Sequence, residues 1–136
     1  MDAYDFYASL IGKEITNDVS FQARNYPLED VPPKKRTKEV CEIAIKILIC
    51  HPYTNTDDIL SLIPENVRSE KICYDSIELS PFNFIYIPSE IINNKICKCA
   101  LTSLVKYMNE QEEYFTNEIA DLLEKITNSI NDHSNP

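Results

Sequence analysis

Three stretches of this chain align on one another without gaps, and that repetition limits the fold more than any other feature. Val31-Pro32 is followed by Val40-Cys41 and Ala44-Ile45. Ile63-Pro64 is followed by Ile72-Cys73 and Ser76-Ile77, and Ile87-Pro88 by Ile96-Cys97 and Ala100-Leu101. The shared pattern is an aliphatic residue and Pro, seven positions, an aliphatic residue and Cys, two positions, then Ala or Ser and a second aliphatic residue. The copies begin 32 and then 24 residues apart. An insertion around residues 51–56 accounts for the longer step. Val19 and Ala23 repeat the spacing of Val40 and Ala44 and mark a weaker fourth copy ahead of the three.

The pattern has a direct physical reading. Pro interrupts a preceding helix and suits the first turn of the next. Polar residues follow it, Lys34-Lys35-Arg36-Thr37 in one copy and Glu65-Asn66-Val67-Arg68-Ser69 in another. Apolar residues at i, i+1, i+4 and i+5 then make one helix face. The small residue at the i+4 position allows a neighbouring helix to come close. Each unit is too short to bury its face alone, so units must stack.

A coarse reading places helices at 2–12, 17–25, 37–50, 55–62 and 69–79, a short one near 81–86, and a long C-terminal one over 93–131. Ser69 and Asn93 or Asn94 are expected N-caps, as are Asn55 or Thr56 ahead of Asp57 and Asp58. The C-terminal helix follows from Ile96, Ala100, Leu104, Tyr107 or Met108, Phe115, Ile119, Leu122, Leu123, Ile126 and Ile130. Its stretch Asn109-Glu110-Gln111-Glu112-Glu113 is polar all round and is either an exposed turn or a break. The expected fold is all-α: a small helical-repeat (solenoid-like) or irregular helical bundle. It forms one domain over residues 1–131, with units at about 15–31, 31–62, 63–86 and 87–109 and a frayed tail at 132–136.

The hydrophobic-Pro pairs Val31-Pro32, Ile63-Pro64 and Ile87-Pro88, with Cys41, Cys73, Cys97, Ala44 and Ala100, carry a resemblance. Together they resemble a family of short helical repeats of unknown function found in bacterial and giant-virus proteins. The resemblance covers roughly residues 15 to 101. The insertion near residue 52 and Ser76 in place of Ala depart from it. It implies a fold and no chemistry.

Composition sharpens the expectation. The chain has 136 residues and 43% hydrophobic content, which suits one domain with a real core. Its single glycine, Gly12, argues against strand-rich folds, a Rossmann fingerprint and a P-loop. No apolar run approaches the roughly 18 residues of a membrane span. The acidic start, Met1-Asp2-Ala3-Tyr4-Asp5, does not read as a secretory signal, and neither end carries a lipidation motif. Five cysteines, an odd number, read as reduced thiols of a cytoplasmic protein. Abundant Ile and Asn without Trp hint at an AT-rich gene of a virus or bacterial mobile element.

No residue set reads as a catalytic, cofactor or metal site. Cys41, Cys73 and Cys97 take equivalent places on an apolar face and are expected as core residues. Cys97-x-Cys99 is shorter than a zinc knuckle, and residues i and i+2 diverge by about 200° on a helix. Cys50 and His51 are adjacent and project differently, so they make no nucleophilic pair. His133 falls in the expected tail. Asp57-Asp58 and Glu112-Glu113 are expected to be solvated, because paired catalytic carboxylates need an apolar wall to split their pKa values.

Charge layout says more. Residues 1–30 carry 6 acids against 2 bases, residues 31–101 carry 9 against 9, and residues 102–136 carry 7 against 2. The flanks are acidic around a neutral body. The plainer reading of that layout is polar capping helices, and the sharper one is a surface that steers a basic protein partner. Asp2, Asp5, Glu110, Glu112 and Glu113 are the candidate partner-binding residues. The one basic cluster, Lys34, Lys35 and Arg36, reads either as a solvated first turn or as a nuclear import signal. The leading expectation is a non-catalytic protein-binding module, such as an acidic immunity protein or antagonist of a basic toxin. The alternatives are a pathogen or viral effector acting on a host protein in cytoplasm or nucleus, a cryptic enzyme, and a nucleic-acid mimic. The net charge of −9 argues against direct binding to DNA or RNA.

Overall fold

The computed structural model describes residues 1–111 and 116–134, and the chain is all-α. Six α-helices occur among the described residues: α1 Ala3–Ser9, α2 Asn17–Gln22, α3 Lys38–Cys50, α4 Glu70–Leu79, α5 Asn94–Gln111 and α6 Asn117–Ser134. Short 3-10 helices fill most of the connections, at Ala23–Asn25, Leu28–Asp30, Pro33–Lys35, Ile59–Leu62, Glu65–Val67 and Pro81–Tyr86. The helices pack largely in chain order. α1 and α2 lie on α3, α3 on α4, α4 on α5, and α5 on α6, with Pro81–Tyr86 wedged among α4, α5 and α6. One buried apolar cluster runs from Ala3 on α1 to Ile126 on α6.

The three matched segments adopt the same local structures in the same order. Val31, Ile63 and Ile87 are buried beside their prolines. A tight turn follows each, closed by the Lys35, Val67 and Ile91 amides donating to the Pro32, Pro64 and Pro88 carbonyls at 2.8–2.9 Å. Next comes the N-cap. Thr37, Ser69 and Asn93 each accept, through a side-chain oxygen, the amide of the residue three further on: Val40, Ile72 and Ile96. These bonds satisfy amides that a helix start leaves without a partner. Val40-Cys41, Ile72-Cys73 and Ile96-Cys97 then turn inward, together with Ala44, Ser76 and Ala100. In the weaker copy Thr16 caps α2 on the Val19 amide and Ala23 is buried, while Ser20 occupies the cysteine place.

Several expectations need correction. The stretch expected as a helix over 55–62 is a turn and a 3-10 helix, Ile59–Leu62, and neither Asn55 nor Thr56 caps an α-helix. Asn55 instead accepts the Asp57 amide at 3.0 Å, and Thr56 donates to the Leu79 carbonyl at 3.3 Å. For the C-terminal stretch, open between one helix and two, the described residues form two, α5 and α6, and Thr116 caps the second through the Ile119 amide at 3.2 Å. Phe115 lies outside the described residues. The first helix stops at Ser9 and turns at Gly12, whose φ of 78° is the left-handed conformation that glycine adopts without steric cost.

Two arginines tie successive segments together. Arg36 donates from Nε to the Val31 carbonyl (2.8 Å), from Nη1 to Leu62 (3.0 Å) and from Nη2 to Glu29 (3.1 Å). Arg68, at the matching place, donates from Nε to Ile63 and from Nη1 to Tyr86, both at 2.8 Å. Leu62 and Tyr86 immediately precede the next hydrophobic-Pro pair, so each guanidinium joins its own segment to the one after it. The fixed fork of the guanidinium suits two divergent acceptors. The third segment carries Ile92 at this place, and the weaker copy carries Ile15.

One side chain, Asn83, makes several of the bonds that hold the stretch after α3. Asn83 is fully buried. Its Nδ2 donates to the carbonyls of Thr56 (2.7 Å), Ser76 (2.8 Å) and Ser80 (3.3 Å), and its Oδ1 accepts the Leu60 amide at 3.1 Å. Asp57, expected as a solvated carboxylate, is half-buried and accepts from the Ser80 hydroxyl at 2.6 Å. These bonds supply polar partners to backbone that is partly removed from water.

Candidate functional site

The cysteines lie where packing needs them. Cys41, Cys73 and Cys97 are fully buried, Cys99 is half-buried and Cys50 is exposed. Burial pushes the Cys41 thiol up from its ordinary 9.0 to about 12, against the opposing pull of the Arg36 guanidinium. Cys73 rises to about 11 for the same reason, opposed by Arg68. Burial also raises Cys97 and Cys99. The Cys41 and Cys73 thiols donate weakly to the Arg36 and Arg68 carbonyls at 3.7 and 3.9 Å. A nucleophilic cysteine requires the thiolate, and these environments hold the thiol. His51 caps the end of α3 with its amide on the Ile47 carbonyl, and its ring is exposed. Among the described residues, no group of three His, Cys, Asp or Glu side chains could hold a metal ion.

The basic cluster divides. Lys34 and Lys35 are exposed on the 3-10 turn Pro33–Lys35, with the Lys35 ammonium 4.8 Å from the centre of the Tyr4 ring. Arg36 is committed to three backbone carbonyls. An import receptor reading all three cations would have to pull Arg36 away from the Leu62 carbonyl.

The acidic candidates are distributed over the stack. Asp2 caps α1, accepting the Asp5 amide at 2.8 Å, and both residues are exposed. Glu110 is exposed near the end of α5, 3.9 Å from Lys106 one turn back. Glu112 and Glu113 lie outside the described residues. α3 and α4 stand between α1 and α5 in the packing order, so Asp2 and Asp5 belong to one end of the stack and Glu110 to the other.

Open grooves on the surface combine apolar and charged side chains, and one of about 740 Å³ holds Glu78 and Glu110 with Lys106 beside Ile49 and Leu79. Two others differ in charge. The larger of these, about 800 Å³, lies where the α1–α2 connection meets α3 and α4. Ile11 and Ile49 are 51% and 47% exposed there. Its charges are mixed: Glu14, Glu39, Glu42 and Asp75 face Lys13, Lys46 and Lys71, and the Lys71–Asp75 pair closes at 2.8 Å. The second groove, about 580 Å³, runs between Pro81–Tyr86 and α6. Phe82, Ile85 and Leu122 provide its apolar part, and Ile85 is 47% exposed. Glu118, Asp121 and Glu124 line it with Lys125 as the one cation. None of these three carboxylates forms an ion pair among the described residues.

The acid of the C-terminal flank is visible in the sequence, but this groove is not. The signal available was the spacing of Glu118, Asp121 and Leu122, which share a face of α6. Ile85 gave none, because it sits in the largely aromatic stretch Phe82-Asn83-Phe84-Ile85-Tyr86. No helix among the described residues is long and apolar enough to cross a membrane. Comparison with protein-family models, with curated protein sequences and with solved structures returns no match for this chain.

Proposed function

We propose that this chain is a non-catalytic binding protein that holds a basic protein partner in the cytoplasm, as an acidic immunity protein or antagonist holds a toxin. The observation that carries the reading is the α6 surface, where Glu118, Asp121 and Glu124, which form no ion pair among the described residues, lie beside exposed apolar side chain. Acidic charge on one face raises the encounter rate with a basic partner, and apolar surface beside it supplies the contact that persists after encounter. The protonated core cysteines support a packing role for residues that would otherwise be the natural nucleophiles. The proposal includes kinship with the short helical repeats of bacterial and giant-virus proteins. The equivalent caps Thr37, Ser69 and Asn93 support the internal repetition on which that part of the proposal depends.

The test is capture of the partner from the native source, followed by elution with salt and measurement of association at several ionic strengths. The expected partner is basic, and its association slows steeply as salt shortens the Debye length, about 10 Å at 0.1 M. An interaction indifferent to salt overturns the reading.

A further inference from the structure

We infer that the groove between α6 and the 3-10 helix Pro81–Tyr86 is the docking site for a basic amphipathic segment of a protein partner, with one apolar side chain of that segment seated against Ile85. The inference rests on the basic-partner reading and assigns it a place and a contact.

Charge complementarity decides the occupant. Glu118, Asp121 and Glu124 outnumber Lys125, and no ion pair among the described residues neutralises them. The larger groove has nearly balanced charge, part of it already satisfied internally by Lys71–Asp75. It offers no preference for a partner of either sign. An apolar side chain is needed as well as cations, because Ile85 is 47% exposed among otherwise well-packed neighbours. Phe82 beside it is fixed edge-on against Tyr107 with ring centres 5.2 Å apart, and Leu122 is buried beneath. The apolar surface is therefore set before a partner arrives, which limits the ordering cost of binding. Glu118, Asp121, Leu122 and Lys125 repeat at helical spacing along α6, so a helix lying along it meets acid and apolar surface in the same turns.

The experiment titrates the full chain with a synthetic peptide of Lys and Leu at amphipathic helical spacing, read by calorimetry. Three variants separate a built site from general attraction. Ile85→Asp adds negative charge while removing the anchor; affinity is expected to fall about tenfold or more, as for loss of an interface anchor. General attraction predicts the opposite sign. Glu118→Lys with Asp121→Lys is expected to weaken binding far more than Asp5→Lys with Glu14→Lys, which changes the net charge equally. Spermine, a cation with no apolar anchor, is expected to compete poorly.

Thermal melts verify that each variant folds, and Ile85→Gln replaces Ile85→Asp if the latter does not. Unchanged or tighter binding by the Ile85 variant, equal weakening by the two double reversals, or no peptide binding at all overturns the site. If the site falls while a natural basic partner still elutes with salt, the broader reading stands. If that partner ignores salt, the broader reading has failed.

Discussion

The Arg36 guanidinium donates to the carbonyl of Leu62, 3.0 Å away and 26 residues further along the chain, and so bridges two segments that have no covalent reason to be neighbours. Arg68 repeats the arrangement on Tyr86, 18 residues on. A repeat whose apolar faces merely stack can slide. A guanidinium with one arm on its own segment and one on the next fixes the register.

Arg68→Ala should therefore lower stability by about 2–4 kcal/mol, since the Ile63 and Tyr86 carbonyls lose charged donors in a half-buried site. Lys at the same place should recover only part, because an ammonium lacks the two-armed fork. Chemical denaturation of the three proteins checks this. A Lys variant as stable as the parent would show that charge alone suffices.

Asn83→Ala should cost about 3 kcal/mol, because it strips donors from three carbonyls and the acceptor from the Leu60 amide. The loss should be local before it is global. Hydrogen exchange is expected to quicken first at the Leu60 amide, ahead of the amides of α3.

The raised thiols give a pH dependence of definite sign. Their values in the fold, about 12 for Cys41 and about 11 for Cys73, stand above the ordinary 9.0. Their contribution is complete below about pH 9 and is lost as pH climbs through 11 and 12, because the unfolded chain releases those protons first. The stability advantage of the parent over a Cys41→Ala, Cys73→Ala variant should shrink from pH 9 upward. At neutral pH an alkylating reagent should modify exposed Cys50 well before Cys41, Cys73 or Cys97.

Charge reversal at Glu110, Glu112 and Glu113 should lower the association rate with a basic partner several-fold and flatten its dependence on salt, leaving dissociation little changed. Reversal at Asp2 and Asp5, at the start of a helix three packing steps away, should do less. Stopped-flow mixing at two ionic strengths separates the two sets. Equal effects would mean that net charge alone governs encounter.

The helices were legible in the sequence to the extent that burial dictates residue type. Val40, Ile72 and Ile96 announce themselves because a buried face tolerates few alternatives, and Ser69 and Asn93 do so because few side chains can cap. The arginine bridges were not legible, although Arg36 and Arg68 stand at the same place in their segments. Their acceptors are carbonyls, which every residue carries, so the partner leaves no mark. Arg36 consequently read as one of three surface cations. Asn83 was hidden for the same reason, since all its partners belong to the backbone. Residues 55–62 read as a helix because Asp57 and Asp58 resemble a helix start, whereas Asn83 and Ser80 draw that backbone into turns.

Ile15 and Ile92, at the places where the inner segments carry arginine, bear on how such a chain could change size. A duplicate of residues 63–86 would bring both a guanidinium and the carbonyl that receives one, and could be spliced in as a self-sufficient cassette. A duplicate of the following segment would arrive with Ile92 and nothing to clasp its successor. Growth is open in the middle of this architecture and closed at its margins.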